Sequence, residues 1–242
     1  MKKYFAIAAA VCAALVTMSC QKNDDGKGDE AKVSKRVATF SLVGDGWADV
    51  YQFTYDNDKV VKVFREEGKE WSLTYSDKNV KIVGKDVNYD CALNDMGFVS
   101  TLTDEWGDTF TFTYDKEGRI TKIDKGEKNI TTVTIEDGCI VTWTREKDGE
   151  IQTKNHKYIS TKNVGDIHNI YPEVYPIAGR WMMETGLFGH GTAYLCGENQ
   201  WAHSEAKGVL TYDTDEDGFV TAEHKDYPDW PEEFAYTWEV VK

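Results

Sequence analysis

The chain should fold as an all-β protein, a twisted and curved antiparallel meander of about twelve to fourteen strands built from repeated hairpins, with one short helix near residue 180. Three observations lead there. Apolar and polar residues alternate strictly in many short runs. Turn-forming clusters recur about every ten residues. Only one stretch, near residues 177–187, groups its apolar residues as a helix would.

The alternation is clearest in TFTFTY (109–114), where Phe110, Phe112 and Tyr114 share one face and three threonines the other. A half-buried strand has this period of two. Asp115-Lys116-Glu117-Gly118 then turns the chain, with Gly118 free to take the positive φ of a tight loop, and Ile120 resumes the next strand. YQFTY (51–55) and WSLTY (71–75) repeat the pattern, and turn clusters follow through Asp148-Gly149. The repeating unit is therefore a hairpin. The rhythm breaks after Ile151. Pro172 and Pro176 precede the helical stretch, expected from about Ile177 to Leu187 with Gly189 as its stop, and its apolar residues are expected to cap an open end of the sheet. Strands return at 208–213, 218–224 and 233–240, the last with Phe234, Tyr236, Trp238 and Val240 in phase. A single curved sheet rolled over its apolar face satisfies this pattern, and two packed sheets are the alternative. An open meander has two edges, which the charged first and last strands would guard.

The first nineteen residues read as an export signal: Lys2 and Lys3, then an apolar run from Tyr4 to Val16 too short to span a bilayer. The run ends in TMSC (17–20), which resembles the bacterial lipobox; the resemblance implies lipid attachment at Cys20. Residues 20–36 open on the acidic pair Asp24-Asp25, are densely charged and are nearly free of apolar side chains, the composition of a disordered tether. Their opening, Gln21-Lys22-Asn23-Asp24-Asp25, is similar to the address that takes Bacteroidetes lipoproteins to the outer face of the outer membrane. No second linker follows, so residues 37–242 read as one domain. Without residues 1–19 the formal charge falls from −14 to −16, because two lysines and no acids are lost. A body this acidic disfavours nucleic acid and anionic lipid, leaving the lipid anchor as the membrane contact.

Tyr114-Asp115 followed by Gly118-Arg119-Ile120 resembles the YD repeat of large bacterial surface proteins, with looser copies at Tyr55-Asp56 and Tyr212-Asp213. Nearly the whole mature chain resembles a family of Bacteroidetes lipoproteins of unknown function. The resemblance rests on the lipobox, the YD-like hairpins, TKNVGDIH (161–168), GLFGHGTAYL (186–195) and LTYDTDEDGFVTAEH (210–224). It implies an extracellular β protein and supplies no catalytic residues.

Chemistry is harder to find. Cys91 and Cys139 fall in phase with apolar neighbours and read as core residues; with Cys196 they allow at most one internal disulfide. Asp213–Gly218 opens like a calcium loop, but His224 stands where a bidentate Glu belongs and a strand follows. An acidic hairpin turn is the expectation, with weak calcium binding as the alternative. His190, Cys196 and His203 do not match zinc spacings, and no cofactor motif is present. Carboxylates are too many to single out a hydrolytic pair.

Four tryptophans stand outside the strand rhythm: Trp47, Trp106 within a turn, Trp201, and Trp230 in YPDWPEE. Indoles beside carboxylates and amides suit stacking on sugar rings. The expected function is a cell-surface lipoprotein that binds without catalysis, with a glycan as the first ligand class. The alternative is a structural or assembly component that binds another surface protein, with pairing along a free strand edge as one means, and a hydrolase ranks third.

Overall fold

In a computed structural model of the chain, the described residues are 33–44, 47–66, 68–126, 129–172, 177, 179–227 and 232–241. They belong to one compact unit, Val33–Lys242. The expected signal (1–19), Cys20 and most of the expected tether lie outside the described residues. Lys35 and Arg36, at the tether's expected end, already belong to the first strand.

Sixteen strands and one helical turn are described. In order they are β1 (Lys35–Gly44), β2 (Trp47–Asp56), β3 (Lys59–Arg65), β4 (Lys69–Ser76), β5 (Asn79–Gly84), β6 (Val87–Leu93), β7 (Val99–Thr103) and β8 (Thr109–Tyr114). Then come β9 (Ile120–Asp124), β10 (Ile130–Glu136), β11 (Cys139–Lys147), β12 (Glu150–Lys162), α1 (Arg180–Met183), β13 (Tyr194–Trp201), β14 (Lys207–Thr214), β15 (Val220–Asp226) and β16 (Glu232–Val240).

Each strand pairs antiparallel with its neighbours in sequence, and β1 also pairs with β16, so the sheet closes into a barrel. This corrects the open meander of twelve to fourteen strands and its two-sheet alternative. The closing ladder runs from Lys35↔Val240 to Val43↔Glu233, with one bulge between Val37 and Thr39. It joins residues some two hundred positions apart, as the Arg36–Glu239 pair shows (separation 203, 2.6 Å). Local alternation carries no trace of such a pairing. Closure also removes the free edges that charged terminal strands were expected to guard.

The alternation sets the faces. Val80 and Ile82, Tyr89 and Cys91, and Phe110 and Phe112 point inward and are buried. Lys81, Asp90, Thr111 and Thr113 point outward and are exposed. Oppositely charged partners face each other across the outer wall, such as Lys62–Glu70 at 3.0 Å and Lys157–Glu198 at 2.8 Å.

Turns alternate between two ends. The proximal end carries the start of β1, the end of β16 and the turns that leave even-numbered strands. The distal end carries the turns that leave odd-numbered strands. One turn recurs at both ends. Asn94, Asp104, Asp115 and Asp215 each accept, through Oδ1, the amides two and four residues ahead. Gly97, Gly107, Gly118 and Gly218 hold φ between 82° and 87° at the fourth position. The side-chain oxygen organises the loop and glycine supplies the left-handed residue.

The repeated tyrosines have a definite task. At the proximal end Tyr55, Tyr75, Tyr114, Tyr158 and Tyr212 each donate to a carbonyl of the preceding strand, those of Val37, Val60, Val99, Ile140 and Cys196, at 2.7–3.0 Å. Trp238 Nε1 does the same to Val220 at 2.7 Å. Burial, with Cys91 nearby, pushes the Tyr75 hydroxyl up to about 12, so it remains a donor at neutral pH. Each tie contributes about 1 kcal/mol net.

The connection between β12 and β13 turns into the barrel. Leu187 accepts from the Val99 amide, His190 donates to Gly118 and Ala193 donates to Gly138, which stitches this segment onto three proximal turns. Its side chains Ile167, Ile177, Trp181, Met182, Met183, Leu187 and Phe188 join the inward residues of the strands in one buried core. The expected helix is present but shorter, only Arg180–Met183. It fills the interior rather than capping an open end, because the closed wall surrounds it.

β12 also runs on to Lys162, well past the expected break at Ile151, and β13 lies where no strand was expected. Both strands have polar residues at inward positions, which erases the alternation by which a strand is recognised.

Candidate functional site

The barrel brings three of the four off-rhythm tryptophan positions, Trp47, Trp106 and Trp201, to its distal end. Trp47 opens β2 opposite Gly44. Trp106 sits in the β7–β8 turn and is 72% exposed, far above any other large apolar side chain described at this end except Ile151 at 70%. Trp201 closes β13. Trp230 falls in sequence between Asp226 of β15 and Glu232 of β16, both distal, and itself lies outside the described residues.

These positions are not equivalent. Trp106 projects from a rigid turn, since Asp104 accepts both the Trp106 and the Asp108 amides at 3.0 and 2.9 Å. Trp201 is partly buried and packs edge-on against buried Trp143, with ring centroids 5.1 Å apart and an interplanar angle of 82°. Its other neighbours are Lys154, whose Nζ stands 5.2 Å from the ring centre, and His203.

Just inside the distal mouth lies a group of residues that the sequence reading missed. On β12, Lys154 and His156 face inward; across the ladder they meet Trp201 and Asn199 of β13. On β15, Glu223 and Lys225 also face inward. All five polar side chains are buried, with Asn199 at 1% and Glu223 at 0% exposure. Gly208 of β14 makes room for them: a Cβ there would overlap the Tyr227 ring, which crosses over it to donate from its hydroxyl to Asn199 Oδ1 at 2.8 Å. Both ring nitrogens of His156 and Nδ2 of Asn199 find no hydrogen-bond partner among the described residues. Burial first, then Lys154 and Lys225, push the His156 imidazole down to about 3, so it is neutral at physiological pH.

The group connects inward to the core. Lys225 Nζ lies 3.9 Å from Glu223, and also 3.9 Å from Glu232. Glu223 binds the Arg180 guanidinium through both oxygens, at 3.1 and 2.7 Å. Arg180 also reaches Glu184 at 3.3 Å, and Glu184 accepts from the His168 amide and the Tyr236 hydroxyl. The guanidinium stands 4.6 Å from the Phe234 ring centre.

The other sequence candidates have ordinary tasks. Asp215 and Asp217 both bind Lys35, at 2.7 and 2.5 Å, so the acidic hairpin anchors the first strand. His190 pairs with Asp166 at 2.5 Å. Cys196 is buried and donates to the carbonyls of Lys157 and Glu198. Cys91, Cys139 and Cys196 are free thiols. No cluster of three or more His, Cys, Asp or Glu suited to a metal ion occurs among the described residues.

With this geometry in hand, the chain can be set beside known proteins. It is similar in structure to a porin-like protein from Bacteroides uniformis, with a TM-score of 0.69 and 18% identity over 84% of this chain and 98% of the other. A porin-like protein from Bacteroides vulgatus aligns with a TM-score of 0.59 and 11% identity over 85% of this chain and 99% of the other. The likeness at these identities is one of fold. No protein-family model matches the chain, and no curated protein matches it by sequence. The closed antiparallel barrel is thus shared, and the polar group behind the distal mouth has to be read from its own chemistry.

Proposed function

We propose that the protein is a lipid-tethered binding module of the outer membrane, facing the cell exterior, that takes its ligand at the distal end and carries out no catalysis. The observation that carries this reading is the polarity of the barrel. The chain enters at the proximal end, where the Tyr ties and the inserted segment sit. Trp106, Trp201 and the start of β2 at Trp47 occupy the opposite end, behind which lie the ring nitrogens of His156 and Nδ2 of Asn199, buried and without hydrogen-bond partners among the described residues. A tether ending in a lipid at Cys20 would hold the proximal end toward the membrane and present the distal end outward. Exposed indole beside amide and carboxylate groups suits the faces and hydroxyls of a glycan.

The porin-like description of the structural neighbours raises a pore as a second reading, and the wall argues against it. Membrane barrels put apolar residues outward and polar residues inward. Here Lys81, Asp90, Thr111 and Lys157 face out, while Ile82, Tyr89 and Phe112 face in. The interior is also packed with the inserted segment. Assembly through a free strand edge loses its basis as well, because β1 is paired with β16.

Two experiments test the proposal. Replacing Trp106 by alanine should abolish or weaken about tenfold the binding of any glycan found on a broad panel, with the unfolding midpoint unchanged. Retained affinity would remove Trp106 from the site. In cells, Cys20→Ala should release the protein from the membrane fraction; persistent membrane association would sink the lipid anchor.

A further inference from the structure

We propose that the His190–Asp166 pair is a proton-operated clasp at the neck of the inserted segment, so that the barrel holds this segment more tightly in mildly acidic than in alkaline medium. The clasp lies at the proximal end and does not depend on what the distal end binds.

The segment enters and leaves the interior through one neck, where residues 163–166 lie beside residues 190–193. Asn163 ties the two limbs through groups that do not titrate: its Nδ2 donates to the Thr192 carbonyl at 2.9 Å and its amide to the Ala193 carbonyl at 3.1 Å. Asp166 adds a tie of another kind. Its Oδ1 accepts from the Gly191 amide at 2.9 Å, and its Oδ2 meets His190 Nδ1 at 2.5 Å. His190 is in turn seated on the wall. Its amide donates to the Gly118 carbonyl at 2.9 Å, and its ring stands edge-on to Phe98 with centroids 5.3 Å apart. The fit is close, since a Cβ at Gly118 would overlap both rings. The pair thus joins the two limbs to each other and to the β6–β7 and β8–β9 turns.

An ionised carboxylate only accepts, so His190 donates from Nδ1 whether or not its ring is charged. Protonation adds charge to this contact, and a charge-assisted bond is about twice as strong as a neutral one. Among the described residues, the other charged groups around His190 are Arg119 and Asp115 of the β8–β9 turn. Arg119 opposes its protonation and Asp115 favours it, and the two pair with each other at 3.6 Å. The hydrogen bond to Asp166 outweighs burial and holds the imidazole above its ordinary value. Folded His190 therefore keeps its proton to a higher pH than unfolded His190. The resulting stability is fully present below the unfolded value, about 6.5, and is lost as pH rises through the folded value. Both side chains are half exposed, so added salt should weaken the effect.

The test uses the intact purified protein with 13C- and 15N-labelled histidine and glycine. The His190 imidazole signal is assigned by its nuclear Overhauser contacts with Phe98 and followed from about pH 5 to about pH 9. It should titrate above about 6.5 in wild type and fall back toward that value in Asp166→Asn. Hydrogen exchange of the Gly191 amide, corrected for its intrinsic base-catalysed rate, reads the opening of the neck. Across the His190 titration the opening constant should rise about tenfold for each unit by which the folded and unfolded values differ. A His190 signal titrating at or below about 6.5 in wild type would overturn the clasp, and this measurement stands even where the variant does not fold. So would an opening constant that stays level across the titration, or one that changes as much in Asp166→Asn as in wild type.

Discussion

Replacing Arg180 by methionine should destabilise the barrel by on the order of 3–5 kcal/mol. Arg180 is 3% exposed and stands among the rings of Phe40, Phe234 and Tyr236. Its guanidinium grips Glu223 with two nitrogens and Glu184 with a third. Neither carboxylate has access to water, at 0% and 8% exposure. Taking away the cation strands two buried anions, and that is costlier than losing the pair. A urea titration of wild type and variant would measure the loss as a lower midpoint at similar slope. The companion variant Arg180→Met/Glu223→Gln should recover part of it, because one stranded charge is gone. A single variant that unfolds within about 1 kcal/mol of wild type would mean that the ion pair does not hold the inserted segment to the wall.

Trp181→Ala should lose about 3–5 kcal/mol by a different route, an unfilled volume in a packed core. The indole is 3% exposed and stacks on Trp71, with centroids 4.6 Å apart and planes 28° apart, while Tyr51 lies against it at 6.2 Å. These rings join the inserted segment to β2 and β4, on the other side of β1 from the contacts of Arg180 with β15 and β16. Near-ultraviolet circular dichroism would lose the signal of the coupled Trp71–Trp181 pair, and the thermal midpoint would fall. Since Arg180 and Trp181 are adjacent and hold one segment, the two losses should sum to more than the double variant shows. Strict additivity would indicate that the segment releases one wall at a time.

Much of the architecture was legible because it is local. Strict alternation announced strands such as Thr109–Tyr114, and the spacing of Asp115 and Gly118 announced the turn that Asp115 Oδ1 organises. What stayed hidden is long-range or contrary to pattern. The pairing of β1 with β16 depends on residues at opposite ends of the chain, so closure could not be read from either strand alone. β12 and β13 were obscured because their inward positions hold Lys154, His156 and Asn199 where apolar residues are the rule. Two of the residues that break the rule, His156 and Asn199, have atoms with unmet hydrogen bonds, consistent with local misfits marking sites rather than scaffold. The tryptophans were legible as exceptions to the rhythm, but only the topology brings Trp47, Trp106 and Trp201 to one end. Their environments then separate Trp106, which projects, from Trp201, which packs.

The seam between the first and last strands has a consequence for biogenesis. Every other ladder forms between neighbours in the chain and can assemble as soon as both strands exist. The seam must wait for β16 to appear, and pairings of such high sequence separation form slowly. Until then the chain is a curved ribbon with two raw edges, open to pairing with other chains. A barrel built this way is most vulnerable to proteases and to its own kind before β16 arrives, and an export route that delivers all sixteen strands before folding begins would spare it that interval.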